Sequence, residues 1–133
     1  MTTLNEIYRC PVCGNIVEVL HPGAVLSCCG KPMVLLKGSE NDGAKEKDVP
    51  VIRCETEEMR VSVGSVEHPM TEEHFIQWAE IVTDDEVYRH YFFPGDKPEV
   101  LFKIKGKPLY VRAYCNLHGL WKCKCPQEEC EKA

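Results

Sequence analysis

Apolar and polar residues alternate with a period of two along much of the second half of the chain, a pattern typical of half-buried strands. In the segment EVLFKIKG, Val100, Phe102 and Ile104 fall on one face, and in PLYVRAYC the same alternation ends on Cys115. The segments RVSVGSV, HFIQWAEIV and VYRHYFF are further strand candidates, and FPGDKPE has the composition of a turn and loop. Because helical periodicity is poor, the pattern predicts an all-β fold, with short antiparallel strands forming a sandwich from about Val51 to Trp121.

The first 37 residues form a separate predicted unit, since they contain four of the nine cysteines and too few apolar residues for an independent core. The chain begins without a basic and apolar leader, and no segment approaches the roughly 18 apolar residues that span a bilayer. We therefore expect a cytoplasmic protein with no membrane association, whose reduced thiols bind metal rather than form disulfides. The formal net charge of -5 also argues against general nucleic-acid binding.

Four cysteines of the first unit have the spacing of one metal site. CPVCGN is a Cys-x-x-Cys knuckle and CCGKPM adds two thiolates, and in both motifs a glycine lets backbone N–H groups turn toward sulfur. We call Cys10, Cys13, Cys28 and Cys29 the four-cysteine site; four thiolates suit one tetrahedral iron or zinc ion. The adjacent Cys28 and Cys29 must twist locally to reach a common ion, because neighbouring residues of a strand point to opposite faces. The alternative is a disulfide framework or a thioredoxin-like redox pair.

Three histidines and one more cysteine indicate a second metal site. HPMTEEH and YCNLHG place His68, His74, Cys115 and His118 at the ends of candidate strands, where loops can bring distant ligands together. Neutral imidazoles with one thiolate suit Fe(II), and a site short of protein ligands has room for a substrate. Each histidine alone is compatible with an ordinary loop residue. Together we call these four residues the histidine–cysteine site.

Several multi-residue motifs resemble those of one family. EIYRCPVCGNIVEVL, CCGKPM, GAKEKDVPVI, VGSVEHPMTEEH, FFPGDKPE and YCNLHGLWK look like desulfoferrodoxin, the two-iron superoxide reductase, in the family's order and spacing from about Glu6 to Lys122. The resemblance implies a small desulforedoxin-like metal-binding module over residues 1–37 and an immunoglobulin-like antiparallel β-sandwich over residues 49–122. Residues 38–48 would be a linker and mobile active-site loop, and residues 123–133 a cysteine-containing tail.

The resemblance also implies two iron centres and the roles of single residues. The four-cysteine site would hold an Fe(Cys)4 centre. The histidine–cysteine site would hold a mononuclear non-haem iron with equatorial histidines and Cys115 as axial thiolate, and the family's fourth histidine falls at Asp48 in this chain. Lys47 matches a lysine over the open coordination position, where a cation attracts superoxide and orders a proton-donating water. Glu46 matches a glutamate that ligates the oxidised iron.

Asp48 departs from the family pattern, and three interpretations are open. Its carboxylate takes the vacant equatorial position, which should favour Fe(III) and lower the reduction potential. Alternatively water or another residue fills that position, or the site has lost its affinity for iron. The first two are compatible with one-electron reduction of superoxide to hydrogen peroxide, for which the resemblance implies a rubredoxin-like electron donor and a homodimer. The alternative functions are an electron carrier that uses only the four-cysteine site, and a redox or metal sensor.

The remaining cysteines match none of these ligand positions: Cys54, Cys123, Cys125 and Cys130. The tail segment CKCPQEEC can close a third metal or iron–sulfur site, with Cys54 as a further ligand. The alternative is that these cysteines are exposed, reduced thiols. Among the aromatic residues, Trp78, Phe75 and Tyr91 are expected to fill the core.

Overall fold

The computed structural model describes residues 1–38, 50–55, 58–64, 68–124 and 131–132. The chain divides into two compact units, Met1–Lys37 and Gly38–Ala133. The described residues form strands, turns and bends without a helix, which confirms the predicted all-β class. Accordingly, no described segment is a helix long and apolar enough to cross a membrane.

The first unit consists of five short strands in two small sheets. Strands β1 to β5 span Ile7–Arg9, Ile16–Glu18, Ser27–Cys28, Lys31–Pro32 and Val34–Leu36. β1 pairs antiparallel with both β2 and β5, and β3 pairs antiparallel with β4. The buried residues of this unit are Thr2, Ile7, Cys10 and Val19. Four buried residues make a very small core, so we expect a bound metal ion to supply much of the unit's stability.

The second unit is built from two four-stranded sheets. Strands β6 to β13 span Pro50–Glu55, Glu58–Val63, Ile76–Thr83, Val87–Tyr91, Glu99–Phe102, Pro108–Cys115, Gly119–Lys124 and Glu131–Lys132. One sheet has the order β10-β7-β6-β13 and the other has the order β12-β11-β8-β9. Neighbouring strands are antiparallel except for β13, which pairs parallel with β6. This arrangement confirms the predicted antiparallel sandwich.

The core lies between these two sheets. Inward-facing residues of β7 and β10 pack with those of β8 and β11, and the main buried contributors are Met59, Val61, Val63, Phe102, Ile76, Ala79, Ile81, Val111, Ala113 and Cys115. Val100 and Ile104 pack against this cluster beside Phe102, as the alternation predicts. Trp78 is buried, but Tyr91 is 56% exposed, so its assignment to the core was wrong. Tyr91 ends β9, which is an edge strand with no further strand beside it in the sheet.

The opposite face of the β12-β11-β8-β9 sheet carries a buried ion network. Glu80 lies in β8 between two core residues and is completely buried. Nε of Arg89, on β9, donates to one of its carboxylate oxygens at 2.7 Å, and Nε of Arg112, on β11, donates to the other at 2.7 Å. The network therefore ties together three neighbouring strands, two of which lead directly to residues of the histidine–cysteine site.

Candidate metal centres

The sulfur atoms of the four-cysteine site all lie within 4.8 Å of one another. Cys10 directly follows β1 and is buried, and the knuckle turn closes with a hydrogen bond from the N–H of Gly14 to its carbonyl at 3.1 Å. The N–H groups of Val12 and Cys13 donate to Cys10 Sγ at 3.3 and 3.4 Å. Such donors favour a thiolate over a thiol. The knuckle is thus folded to present an ionised sulfur.

The adjacent cysteines reach the common centre through an unusual backbone conformation. Cys28 ends β3, and Cys29 has a φ of 53°, in the left-handed region that residues with a side chain seldom adopt. This is the local twist that the sequence requires of neighbouring ligands. The Cys28 and Cys29 sulfurs are 3.9 Å apart, and those of Cys13 and Cys28 are 3.7 Å apart. Both distances match the ~3.8 Å edge of a tetrahedron with metal–sulfur bonds of about 2.3 Å.

Thiols of the four-cysteine site shift one another's pKa values. The N–H of Cys13 is the main group that lowers the pKa of Cys10, to about 6. The nearby sulfurs of Cys13 and Cys28 raise the pKa of Cys29 to about 12. The neighbouring sulfurs also raise the pKa of Cys28, so Cys28 and Cys29 resist ionisation at neutral pH unless a cation lies between the sulfurs. A metal ion supplies that charge, and its binding releases protons. The donor set therefore fits a metal ion.

The histidine–cysteine site lies where β8 begins and β11 ends. Cys115 is the last residue of β11 and is buried, and His118 follows it in the turn before β12 and is exposed. His74 lies two residues before β8, and His68 is only 2% exposed. One donor atom from each of the four residues lies within 4.8 Å of the others. The structure thus brings together the four residues that the sequence singles out.

The three imidazole rings meet edge to face rather than in stacks. The His74 ring centroid lies 4.7 Å from that of His68 and 4.9 Å from that of His118, with interplanar angles of 80° and 85°. Nδ1 of His68 is 2.7 Å from the carbonyl oxygen of Pro69. Because a carbonyl can only accept, Nδ1 carries the proton and Nε2 keeps the lone pair that a metal needs. Second hydrogen bonds of this kind orient metal-binding histidines.

These dimensions suit a single ion. Nitrogen ligands at about 2.1 Å on opposite sides of a metal are ~4.2 Å apart, and all donor pairs of the histidine–cysteine site fall within 4.8 Å. Three imidazoles and one thiolate leave coordination positions open on a metal that takes five or six ligands. The residues therefore fit a mononuclear centre that can accept a substrate.

Family models match both units of the chain. Residues 2–36 match the model described as desulfoferrodoxin, N-terminal domain, and residues 40–124 match the model described as desulfoferrodoxin. This chain belongs to the desulfoferrodoxin family. The resemblance inferred from the motifs is thereby confirmed.

Individual desulfoferrodoxins and superoxide reductases are similar over long stretches. A desulfoferrodoxin of Syntrophotalea carbinolica is 58% identical over 117 residues, which cover 87% of this chain and 93% of that relative. A superoxide reductase of Pyrococcus abyssi is 38% identical over 101 residues, which cover 61% of this chain and 87% of the relative. The crystal structure of the superoxide reductase from Treponema pallidum has a TM-score of 0.72 and 30% identity, covering 90% of this chain and 96% of that one.

Desulfoferrodoxin family membership, together with the two ligand clusters, supports two iron centres. The part of the chain that the structure describes contains two groups able to hold a metal ion, the four-cysteine site and the histidine–cysteine site. Glu46, Lys47 and Asp48 lie outside the described residues, so their predicted roles remain predictions.

The remaining cysteines are only partly described. Cys123 lies in β12, is partly buried against the core, and its Sγ is 3.4 Å from the carbonyl oxygen of Lys124. Cys54 pairs through its backbone with Met59, and its side chain is not described. Cys125 and Cys130 lie outside the described residues. The third metal site therefore stays a prediction.

Asn116, which was not singled out in the sequence, connects the two halves of the histidine–cysteine site. It directly follows Cys115 in YCNLHG, and its Oδ1 accepts the N–H of Phe75 at 3.0 Å. Its Nδ2 donates to the carbonyl of Glu73 at 3.0 Å, and its own N–H donates to the carbonyl of Phe75 at 3.2 Å. Both chain neighbours of His74 are therefore bonded to Asn116. One feature of the sequence could have indicated this role. Asn116 directly follows Cys115, the last residue of a strand, and its carboxamide can both donate and accept hydrogen bonds.

Proposed function

We propose that this protein is a superoxide reductase that converts superoxide to hydrogen peroxide at the histidine–cysteine site. The observation that carries the proposal is the convergence of three imidazoles and one buried thiol in a chain of the desulfoferrodoxin family. The Pyrococcus abyssi relative and the Treponema pallidum structure are both named superoxide reductases. When bound, iron supplies the single electron that, with two protons, converts one superoxide into one hydrogen peroxide.

The four proposed ligands of this centre differ in burial, and this difference indicates from which side each contacts the metal. We propose that His68, His74 and His118 would hold the iron through imidazole nitrogens and Cys115 through its thiolate. Cys115 is fully buried, and a buried thiolate is stable only beside a positive charge, so its sulfur is suited to bind from the core side. His118 is exposed, so solvent reaches this edge of the site. We infer that superoxide approaches the site from the solvent side, where His118 is exposed.

The charged residues before β6 complete the proposal, and their roles rest on family resemblance. Lys47 supplies the positive charge that attracts an anionic substrate and holds the water that delivers a proton. Glu46 would be a further ligand of the iron in its oxidised state. Asp48 would hold the iron where the family has a histidine, and its carboxylate would add negative charge, favour Fe(III) and lower the reduction potential relative to histidine.

Reduction without dismutation consumes one electron per turnover, so the protein requires an external donor. We propose a small rubredoxin-like protein as that donor, with the four-cysteine site as a candidate relay. We further propose a cytoplasmic homodimer. Support for self-association comes from apolar side chains that the first unit leaves exposed, namely Leu4, Val17, Leu20, Val25 and Val34.

Pulse radiolysis of the anaerobically reduced, iron-loaded protein tests the proposed reaction. We expect superoxide to decay at a rate proportional to protein concentration and one hydrogen peroxide to form per iron oxidised. Asp48→His, which restores the family's ligand, is the comparison, and Cys115→Ser is the negative control. Inertness of the iron-loaded wild-type protein would overturn the proposal, and activity restored by Asp48→His would then favour the electron-carrier function.

A further inference from the structure

We infer that Asn116 is a positioning residue that fastens the His74 turn, residues 71–75, to the cysteine turn, residues 115–118, before metal binds. Its carboxamide bonds the backbone on both sides of His74, at Phe75 and at Glu73, each at 3.0 Å. The inference rests on the proposed function only in taking His74, Cys115 and His118 as ligands of one iron.

The carboxamide acts where regular strand pairing ends. The β8–β11 ladder has its last pair at Cys115 and Ile76, after a register shift between Tyr114 and Cys115. One more backbone bond joins the Asn116 N–H to the Phe75 carbonyl at 3.2 Å. Beyond that point, the side chain of Asn116 continues the connection as far as Glu73. The Asn116 side chain thus bonds both residues that flank His74: it adds to the backbone bond at Phe75 and is the connection to Glu73.

The His74 turn is also stabilised by hydrogen bonds between its own residues, Thr71 and His74. The N–H of Thr71 donates to the His74 carbonyl at 2.9 Å, and the N–H of His74 donates to the Thr71 carbonyl at 3.2 Å. Thr71 Oγ1 lies 3.3 Å from the His74 carbonyl and 3.2 Å from the His74 nitrogen. The turn is therefore a closed unit, and Asn116 attaches it to the cysteine turn.

The position of His74 makes this attachment important for the metal. Its ring lies between those of His68 and His118, at 4.7 and 4.9 Å, so a shift of the His74 turn displaces the middle imidazole of the three. A ligand held in place beforehand loses less conformational entropy when the metal binds. Loss of the attachment should therefore weaken metal binding and alter the ligand field.

The experiment compares Asn116→Leu, which is similar in size but has no hydrogen-bonding group, with Asn116→Asp, which keeps the acceptor for the Phe75 N–H. The matched control is Thr83→Val at the other end of β8. Thr83 Oγ1 makes turn hydrogen bonds with Asp85 N–H at 3.3 Å and Glu86 N–H at 2.9 Å, far along the strand from the site. The full-length proteins are loaded with Fe(II), and affinity is measured by competition with a chelator.

We expect Asn116→Leu to lower Fe(II) affinity at the histidine–cysteine site by about 10- to 100-fold, the usual effect of losing a group that orients a ligand. The thiolate-to-iron absorption band of the oxidised site should shift, while the absorption of the four-cysteine site in the same molecule stays constant. Asn116→Asp should lose less affinity than Asn116→Leu, and Thr83→Val should leave both affinity and band unchanged. Unchanged affinity in Asn116→Leu, or an equal loss in Thr83→Val, overturns the inference.

A metal-free measurement separates this inference from the proposed reaction. Amide hydrogen exchange should show that the Phe75 N–H loses protection in Asn116→Leu but keeps it in Thr83→Val. If the wild-type protein binds iron but does not react with superoxide, the proposed function fails while the affinity and exchange results still decide the role of Asn116. Retained Phe75 protection in Asn116→Leu counts against that role whatever the activity.

Discussion

At the scale of single residues, the buried carboxylate of Glu80 is stable only because two arginine side chains donate hydrogen bonds to it. It is completely buried in β8, and each of its two carboxylate oxygens accepts a hydrogen bond from one guanidinium group. A buried carboxylate is tolerated only with such compensation. Its partners Arg89 and Arg112 lie 9 and 32 residues away in the chain. The segment HFIQWAEIV therefore contains no local sign of the network.

Replacing Glu80 by glutamine should strongly destabilise the second unit. The amide removes the negative charge to which both guanidinium groups donate, and we expect a loss of about 3–5 kcal/mol in the free energy of unfolding, as for other broken buried ion pairs. Urea unfolding followed by tryptophan fluorescence measures it. The matched control is Glu99→Gln, which removes the same charge from a part-exposed pair and should cost less than about 1 kcal/mol. Equal losses in the two variants would contradict the interpretation.

Among elements, the β7–β10 pair is held by a cross-strand ion pair as well as by its backbone. Arg60 Nη1 of β7 lies 2.5 Å from Glu99 Oε2 of β10, and Ser62 Oγ donates to the other carboxylate oxygen at 3.4 Å. The hydrogen bond from Arg60 lowers the pKa of Glu99, against a smaller opposing effect of burial. The pair therefore stabilises the fold only while Glu99 is ionised.

This coupling predicts a defined pH dependence. Since the pKa of Glu99 is lower in the folded than in the unfolded chain, its stabilising effect is complete above the unfolded value of about 4.3 and is lost as pH falls through the folded value. We expect the free energy of unfolding of the wild type to exceed that of Glu99→Gln by about 0.5 kcal/mol at pH 7. This difference should vanish toward pH 3. Urea midpoints of both proteins across this range measure it. A difference that does not change with pH would exclude the ion pair as its source.

At the scale of the whole molecule, the two units differ in what holds them together. Four residues are buried in the first unit, whereas in the described part of the second unit eleven buried residues form one hydrophobic cluster. The second unit therefore has a conventional core, and we expect the first to depend on its metal.

Removing the first metal should accordingly unfold the first unit alone. Cys13→Ser replaces an exposed ligand of the four-cysteine site, and we expect loss of that centre's absorption and of amide protection within residues 1–37. Amides of β8 and β11 in the second unit should keep their protection, and the histidine–cysteine site should still bind iron. Cys123→Ser, which removes a thiol outside both sites, is the control and should change neither unit. Loss of protection in β11 of Cys13→Ser would show that the units do not fold independently.

The sequence by itself determined the class of fold and most of the ligand chemistry. Alternation of apolar residues is a local property of each strand, so PLYVRAYC already indicates a strand that ends in Cys115. Cysteine spacing is likewise local. Because Cys28 and Cys29 are neighbours in the chain, both can face one metal ion only if the backbone twists between them, and the positive φ of Cys29 provides that twist.

Only the tertiary structure decided which residues support those ligands. The bonds of Asn116 to Phe75 and Glu73 span 41 and 43 residues, and they follow from the β8–β11 pairing rather than from any local pattern. The exposure of Tyr91 likewise depends on β9 being an edge strand. Ligand types and strand periodicity are written in short stretches of sequence, whereas burial and long-range hydrogen bonds exist only once distant strands have paired.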